Sequence, residues 1–439
     1  MHLLVKEILY ITSYFFQQYR ALEANKIFFM IKTADLKFKN VLLISLPLLL
    51  IFFRGIADIT VLLIGLAFLY RSYTRNDWAW SKQKWFIFSL IYWLYLLLIN
   101  TTVSTNPSES FLYSLAFIRW PLFAMALSMW LFQDYVSRKK FLIALLFTLS
   151  FIVIDTWWQY IFEYDLFGNP GYLHIGRLTG PFRDNLVPGI FIARYLFLLL
   201  YLGYFIKYIQ TPTKNVFIIF LLLLLGTLSV YITGERMALI IFISGAIIVS
   251  IGIFFQYKKI RKYILLSLFF IVSFLVIAQQ AFPKLNDRMI VDLFYKLSNF
   301  SSSDYMLVFK SAYAVWMESP IFGVGFHQYR DVCIGLGYWG SGGGVCFHPH
   351  NISLELLSET GVVGFLLYFI TIGAIACSCL KPLLQKKDWL LFSLTFTLLF
   401  ISFFPLIGGM SLFNNWIGST IWLLVGWSLV TSRDHKTFS

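Results

Sequence analysis

Long apolar stretches recur along the chain from about residue 40 to residue 431, separated mostly by short charged connections. An apolar run of about 18 residues or more can cross the hydrocarbon core of a bilayer as a helix. Only 13% of the 439 residues are charged, whereas soluble domains carry about 25%. A membrane β-barrel would instead show short strands of alternating polarity. The pattern therefore predicts an all-α polytopic integral membrane protein.

We predict about 12 transmembrane helices, and the chain divides accordingly. Residues 1–39 are expected to form a cytoplasmic N-terminal arm, too polar and lysine-rich for a cleavable signal peptide. Residues 40–281 are expected to form spans 1–9, and residues 351–439 spans 10–12 with a cytoplasmic tail. A long periplasmic loop, 282–350, separates spans 9 and 10 and is expected to contain an amphipathic helix near Ser303–Glu318. A polar tract of this length between spans usually has a function.

The net charge of +14 reflects where the basic residues lie. Eleven of the 35 Lys and Arg lie on the predicted outer side, and the remaining 24 occupy the termini and alternate short loops. Cytoplasmic loops of membrane proteins carry such an excess of Lys and Arg. The distribution predicts that both termini are cytoplasmic, and that the charge meets anionic lipid headgroups rather than nucleic acid.

Four outward arginines are candidates for binding an anion. A guanidinium group suits a phosphate because its fork of donors meets two oxygens at once. Arg236 follows the tight turn at Gly234, and the others follow in loops. The diphosphate-binding candidates are Arg236, Arg288, Arg183 and Arg177. The alternative is that each arginine pairs with a nearby acid, such as Glu235, Asp184 or Asp287, or reaches the headgroups; Arg119 could equally be a structural pair within the bundle.

The most informative segment runs from Cys346 to Gly364 and contains a histidine pair. His350 lies at the predicted start of the tenth span, and imidazole titrates near neutral pH, so it can accept a proton from a hydroxyl. His348, Asn351 and Glu359 are candidates for supporting roles. A structural role for His350 as a hydrogen-bonding group is the alternative.

Metal binding by the histidines and nearby acids is disfavoured because their spacing matches no standard zinc signature. We therefore expect no metal and no cofactor. Cys333 and Cys346 share the outward loop, where an oxidising compartment favours a disulfide. Cys377 and Cys379 lie near the cytoplasmic end of a span and should stay reduced.

His350-Asn351, nine residues, and then Gly361-x-x-Gly364 resemble the signature of bacterial O-antigen ligases. Residues 319–325 and 354–364 resemble the wider O-antigen ligase and polymerase superfamily. This resemblance implies a metal-independent, inverting glycosyltransferase at the periplasmic face of the bacterial inner membrane. Its donor would be polysaccharide on undecaprenyl diphosphate, and its acceptor the lipid A–core. The essential histidine would be His350, and the two diphosphate-binding arginines Arg236 and Arg288, with Arg183 or Arg177 able to replace the latter.

Three other functions remain open at this stage. The same superfamily contains polymerases, which use a second lipid-linked repeat as acceptor. A related ligase would glycosylate protein. A transporter of lipid-linked glycans belongs to a different class, and it would show inverted repeats and charged groups at the middle of broken helices, which this sequence does not.

Overall fold

The computed structural model describes residues 38–205, 212–262, 282–338, 345–406 and 410–433, together with Ser273, Val276, Ile277 and Gln280. Across these residues the regular backbone is helical, and β-pairing is limited to two isolated bridges. The predicted all-α class is therefore confirmed. Almost all of the ninth predicted span, at about 263–281, and almost all of the N-terminal arm lie outside the described residues.

The helices are numbered in chain order. They are α1 (Phe38–Phe52), α2 (Arg54–Arg75), α3 (Lys84–Leu94), α4 (Pro107–Phe117), α5 (Arg119–Ala126), α6 (Tyr135–Phe162), α7 (Pro188–Leu199), α8 (Leu202–Phe205), α9 (Pro212–Ile232), α10 (Arg236–Gln256), α11 (Pro283–Asn286), α12 (Asp292–Ser298), α13 (Asp304–Glu318), α14 (Tyr329–Gly335), α15 (Ile352–Gln385), α16 (Trp389–Phe403) and α17 (Asn415–Arg433). Turns of π-helix extend α3 to Asn100 and α5 to Leu131.

Within the described residues, five helical segments are long and apolar enough to cross a membrane: α2, the continuous stretch Pro107–Leu131, α6, α10 and α15. Shorter apolar helices of 10–17 residues accompany them, including α1, α7 and α16. The chain is thus a helical membrane protein. The number of 12 spans and the position of the long loop between spans 9 and 10 stay predictions.

Helix α17 lies at the centre of the bundle. Its side chains from Trp416 to Ser432 are all buried, and it packs against α2, α5, α15 and α16. Gly418 lies against the ring of Trp120, and Gly426 against Leu127, because small residues let neighbouring helices approach closely in a membrane. The outer helices present apolar side chains outward, and α17 supplies the surface on which they pack.

Helix α15 is broken at Gly361, where φ is 64° and ψ is −174°. The segment 319–325 lies against this break, and Val324 donates its backbone N–H to the carbonyl of Ser358 at 3.0 Å. A Cβ atom on residue 361 would lie 2.3 Å from the carbonyl oxygen of Ile321. The glycine therefore permits both the break and the close approach of the facing backbone, which fixes the direction of the first turns of α15.

Candidate active site

Arg236 is held at the first residue of α10 by a turn that requires glycine. Gly234 has φ of +70°, and a Cβ there would lie 1.8 Å from the carbonyl oxygen of Gly176. The Arg236 side chain is 9% exposed and pairs with Asp292. Its Nε also donates to the carbonyl oxygen of Arg288 at 2.8 Å. The ion pair forms with Asp292 and not with the neighbouring Glu235 that the sequence suggested as a partner.

The Arg288 side chain bonds to the turn at Gly234 that precedes α10. Its Nε donates to the carbonyl oxygen of Gly234 at 3.0 Å, and its Nη1 donates to that of Ile175 at 3.3 Å. Burial, together with the charges of Arg177 and Arg236, lowers the pKa of Arg288 to about 10. The two guanidinium groups are therefore close and partly desolvated, although like charges repel.

Arg177 joins them from the loop before α7. Its Nη2 donates to the carbonyl oxygen of Leu186 at 2.7 Å. Burial lowers the pKa of Arg177; Glu235 opposes this shift and Arg236 adds to it. Arg177, Arg236 and Arg288, which we call the arginine cluster, are distant in sequence and are brought together by backbone carbonyl groups. A cluster of this kind can bind an anion with several negative oxygens.

The other outward arginines have different surroundings. Arg183 is exposed, and among the described residues no hydrogen bond links it to the arginine cluster. Arg54 lies 4.9 Å above the ring of Trp416. Arg119 donates to Asp58 at 2.7 Å, which is the structural pair that the sequence left open.

The histidine pair lies just before α15. The His348 and His350 ring centroids are 4.0 Å apart, and the backbone N–H of His350 donates to His348 Nδ1 at 3.2 Å. A donor at Nδ1 leaves the proton of a neutral His348 ring on Nε2. The backbone N–H of His350 therefore orients the His348 ring, which lies beside the ring of His350.

His350 has the conformation and charge state that suit a base. Its φ is +53°, which is uncommon for residues other than glycine and often marks a functional position. Burial lowers the pKa of His350 below its usual range. The imidazole is therefore neutral at pH 7 and can accept a proton from a hydroxyl group.

The two other supporting candidates bond to backbone groups at the start of α15 and beside its break. The Asn351 side chain caps the helix by accepting the backbone N–H of Ser353 at 2.8 Å and that of Leu354 at 3.2 Å. Glu359 is 6% exposed and accepts the backbone N–H of His327 at 3.0 Å. Asn351 therefore fixes the chain directly after His350, and Glu359 holds the segment at His327 against α15.

The loop before the histidines is fixed by a disulfide and by hydrogen bonds of Tyr329. Cys333, in α14, and Cys346 form a disulfide with Cα atoms 5.6 Å apart. The Tyr329 hydroxyl donates to the carbonyl oxygen of Val345 at 3.3 Å and lies 3.0 Å from the Ser311 hydroxyl. These contacts hold the chain that enters the histidine pair against α13.

Asn100, which the sequence reasoning did not single out, ties α3 to the break in α15. Its fully buried side chain donates from Nδ2 to the carbonyl oxygens of Phe322 at 2.8 Å and Glu359 at 2.9 Å. Its Oδ1 accepts the backbone N–H of Phe326 at 2.7 Å. An asparagine inside an apolar run is costly to keep without a purpose, and that isolated polar residue was the available signal.

Helix α13 runs from the arginine cluster to the loop that precedes the histidine pair. Tyr305, in its first turn, interacts electrostatically with Arg177 and Arg288. Further along, Ala312 belongs to the apolar cluster that contains Cys346. The seven-residue step from Tyr305 to Ala312 is about 10 Å along a helix.

In the described part of the chain, no three His, Cys, Asp or Glu side chains are grouped so as to hold a metal ion.

The comparisons with known proteins agree with the signature seen in the sequence. Residues 219–369 match the model of a protein family described as O-antigen ligase. The matched segment contains Arg236, Arg288, His350 and both glycines of the signature. No curated protein matches the chain. The match over residues 219–369, about a third of the chain, confirms the predicted resemblance to the O-antigen ligase superfamily.

Proposed function

We propose that this protein transfers O-antigen polysaccharide from undecaprenyl diphosphate to the lipid A–core. One arrangement supports this reaction above all. The arginine cluster converges at the start of α10, and α13 connects it to the loop that carries His350. A cluster of guanidinium groups and a neutral imidazole in one protein suit a reaction in which a diphosphate leaves and a hydroxyl attacks. The O-antigen ligase match over 219–369 supports the same class of reaction.

The arginine cluster acts on the leaving group. When the bond between the anomeric carbon and the diphosphate oxygen breaks, the diphosphate takes the electron pair and gains negative charge. Fixed positive groups in a partly desolvated site stabilise that charge without reorganising. Nε and Nη2 of Arg236 contact Arg288 and Asp292. Nη1 has no hydrogen-bond partner within the described ranges, so it is the part of this guanidinium that we assign to the donor.

His350 acts on the acceptor. A hydroxyl oxygen of the lipid A–core attacks the anomeric carbon from the face opposite the diphosphate and forms the new glycosidic bond. The hydroxyl proton passes to the neutral imidazole of His350 and then to water. Attack opposite the leaving group inverts the anomeric configuration. The activated donor supplies the driving force, so the proposed reaction uses no ATP, metal or cofactor.

The location of both substrates sets the proposed orientation. Undecaprenyl diphosphate is embedded by its lipid tail, and the polymer it carries is outside the cytoplasm. We place the protein in the bacterial inner membrane with both termini cytoplasmic and the active site at the periplasmic face. The membrane lipids, the lipid-linked polysaccharide and the lipid A–core are then its partners.

A strain that lacks the gene tests this function. We expect its lipopolysaccharide to show bare core on a gel, together with accumulated polysaccharide that is still linked to lipid. The wild-type gene should restore the polymer ladder. His350→Ala should not, while Arg54→Lys, outside the arginine cluster, serves as the matched control and should restore it. Core capped by a single repeat would instead identify a polymerase, and an unchanged ladder would contradict both reactions.

A further inference from the structure

Glu235 occupies a position that an anion would favour. It precedes α10, but its side chain makes no capping bond with that helix. Instead, Oε1 accepts the backbone N–H of Gly189 at 2.7 Å, and the N–H of Ile190 also faces the carboxylate. These N–H groups begin α7, a helix of 12 residues. The N-terminus of a helix attracts negative charge through its free N–H groups and its dipole.

Arginines from three other parts of the chain face this carboxylate. Arg177, from the loop before α7, and Arg288, beside α12, interact with Glu235 electrostatically. Arg194, from α7 itself, does so as well. The Arg194 side chain is 1% exposed, and its Nε, Nη1 and Nη2 have no hydrogen-bond partner among the described residues. Burying an unpaired guanidinium is costly, so a nearby anion offsets part of that cost.

The charges around Glu235 do not cancel. Four arginines, Arg177, Arg194, Arg236 and Arg288, are accompanied by two carboxylates, Glu235 and Asp292. Lys296 lies 3.7 Å from Asp292, and its charge is matched by that of Asp304 at 3.9 Å. The surplus is positive, which suits a doubly esterified diphosphate before transfer. The surplus is too small for the more negative diphosphate that leaves, unless one carboxylate loses its charge.

We infer that Glu235 serves as the internal counter-ion of the arginine cluster and takes up a proton when a diphosphate binds there. Because its ligand is the diphosphate of the proposed function, this inference rests on that function. A second negative group beside a carboxylate makes the ionised form less favourable. The protonated acid still accepts the Gly189 N–H through its carbonyl oxygen, so the turn keeps its geometry.

The environment of Glu235 makes the proton uptake feasible at neutral pH. Burial raises the pKa of Glu235 to about 7, although Arg177 and the N–H groups of Gly189 and Ile190 oppose the rise. A bound diphosphate raises the pKa further, so affinity is highest below pH 7 and falls as the pH rises above it. Each unit of increase in the pKa on binding weakens the complex about tenfold across that pH range. Asp292 differs, because the hydrogen bond from Arg236 lowers its pKa and keeps it ionised.

Calorimetry on the full-length protein in detergent tests this inference, with farnesyl diphosphate as the probe. Titrations in two buffers of different ionisation heat, from pH 6 to 9, give the affinity and the number of protons taken up. Glu235→Gln keeps the size and the acceptor of the side chain but cannot titrate. We expect wild type to take up more protons than Glu235→Gln near pH 7, and its affinity to fall about tenfold more by pH 9. Ionisation of the probe cancels in this difference.

Asp292→Asn is the matched control, since it also removes one carboxylate near the arginines. It should change affinity at every pH but keep the proton uptake of wild type. Equal proton uptake by wild type and Glu235→Gln overturns the inference. If Glu235→Gln does not fold, the proton uptake by wild type is compared with the proton uptake expected from ionisation of the probe alone. Wild-type uptake that does not exceed this value overturns the inference.

The outcomes also separate this inference from the proposed function. Binding that Arg288→Ala abolishes, together with equal proton uptake by wild type and Glu235→Gln, rejects only the role of Glu235. Absence of binding to wild type, or binding unaffected by Arg288→Ala, rejects the diphosphate site and the inference with it.

Discussion

Replacing His350 with asparagine removes the proposed base while sparing the backbone around it. His350 has φ of +53°, a conformation that Asn adopts more readily than most residues. General-base catalysis contributes about 10²- to 10⁴-fold, so the transfer rate should fall by that factor. This corresponds to about 3–5 kcal/mol in the activation barrier. His350→Ala should lose the same activity.

The pH dependence gives this prediction a second readout. A base acts in its deprotonated form, and burial lowers the pKa of His350. The wild-type kcat/KM should therefore be level near pH 7 and fall about tenfold per pH unit only below the ordinary histidine pKa of about 6.5. The residual activity of His350→Asn should lack this decline. The assay is transfer of lipid-linked polysaccharide to lipid A–core by purified protein, followed on gels from pH 5 to 8.

His327→Asn is the matched control for His350→Asn. His327 also has a positive φ, +69°, but its ring stacks on Tyr113 with centroids 3.7 Å apart. We expect this variant to retain activity close to wild type, with a similar melting temperature. Wild-type activity in folded His350→Asn would refute the base, and an equal loss in His327→Asn would show that the effect does not depend on the imidazole of His350.

Three further predictions concern the groups around the site. Arg236→Lys keeps one charge but loses the fork of donors. Hydrogen bonds to charged groups contribute about 1.5–3 kcal/mol, so kcat/KM should fall about ten- to hundredfold. Unchanged donor affinity and rate would count against the diphosphate role. Replacing Cys333 and Cys346 with serine should lower the free energy of unfolding by about 2–4 kcal/mol, measured by thermal unfolding. Thiol labelling of both cysteines in denatured, non-reduced wild type would contradict their pairing. Asn100→Ala leaves buried backbone groups without a partner and should cost about 1–3 kcal/mol; an unaltered melting temperature would show that this amide does not hold the break in α15.

The local sequence predicted what local chemistry decides. The apolar runs predicted the helices, and the amphipathic helix expected near Ser303–Glu318 forms as α13, with the Ser303 side chain accepting the N–H of Met306 at its start. The signature that begins at His350-Asn351 was visible in the sequence, but the structural roles of its residues were not. Asn351 caps α15 and Gly361 breaks it, and neither role can be read without the backbone that each one faces.

The sequence by itself determined the class of protein, because apolar length and charge placement depend only on neighbouring residues. It also marked His350 as a candidate base. Only the tertiary structure decided which arginines meet: Arg177, Arg236 and Arg288 are joined through carbonyl groups contributed by separate loops. Charge pairing followed the same rule, since Arg236 reaches Asp292, 56 residues away, while the adjacent Glu235 turns to α7. Hydrogen bonds and desolvation depend on distance in space, which a linear pattern does not contain.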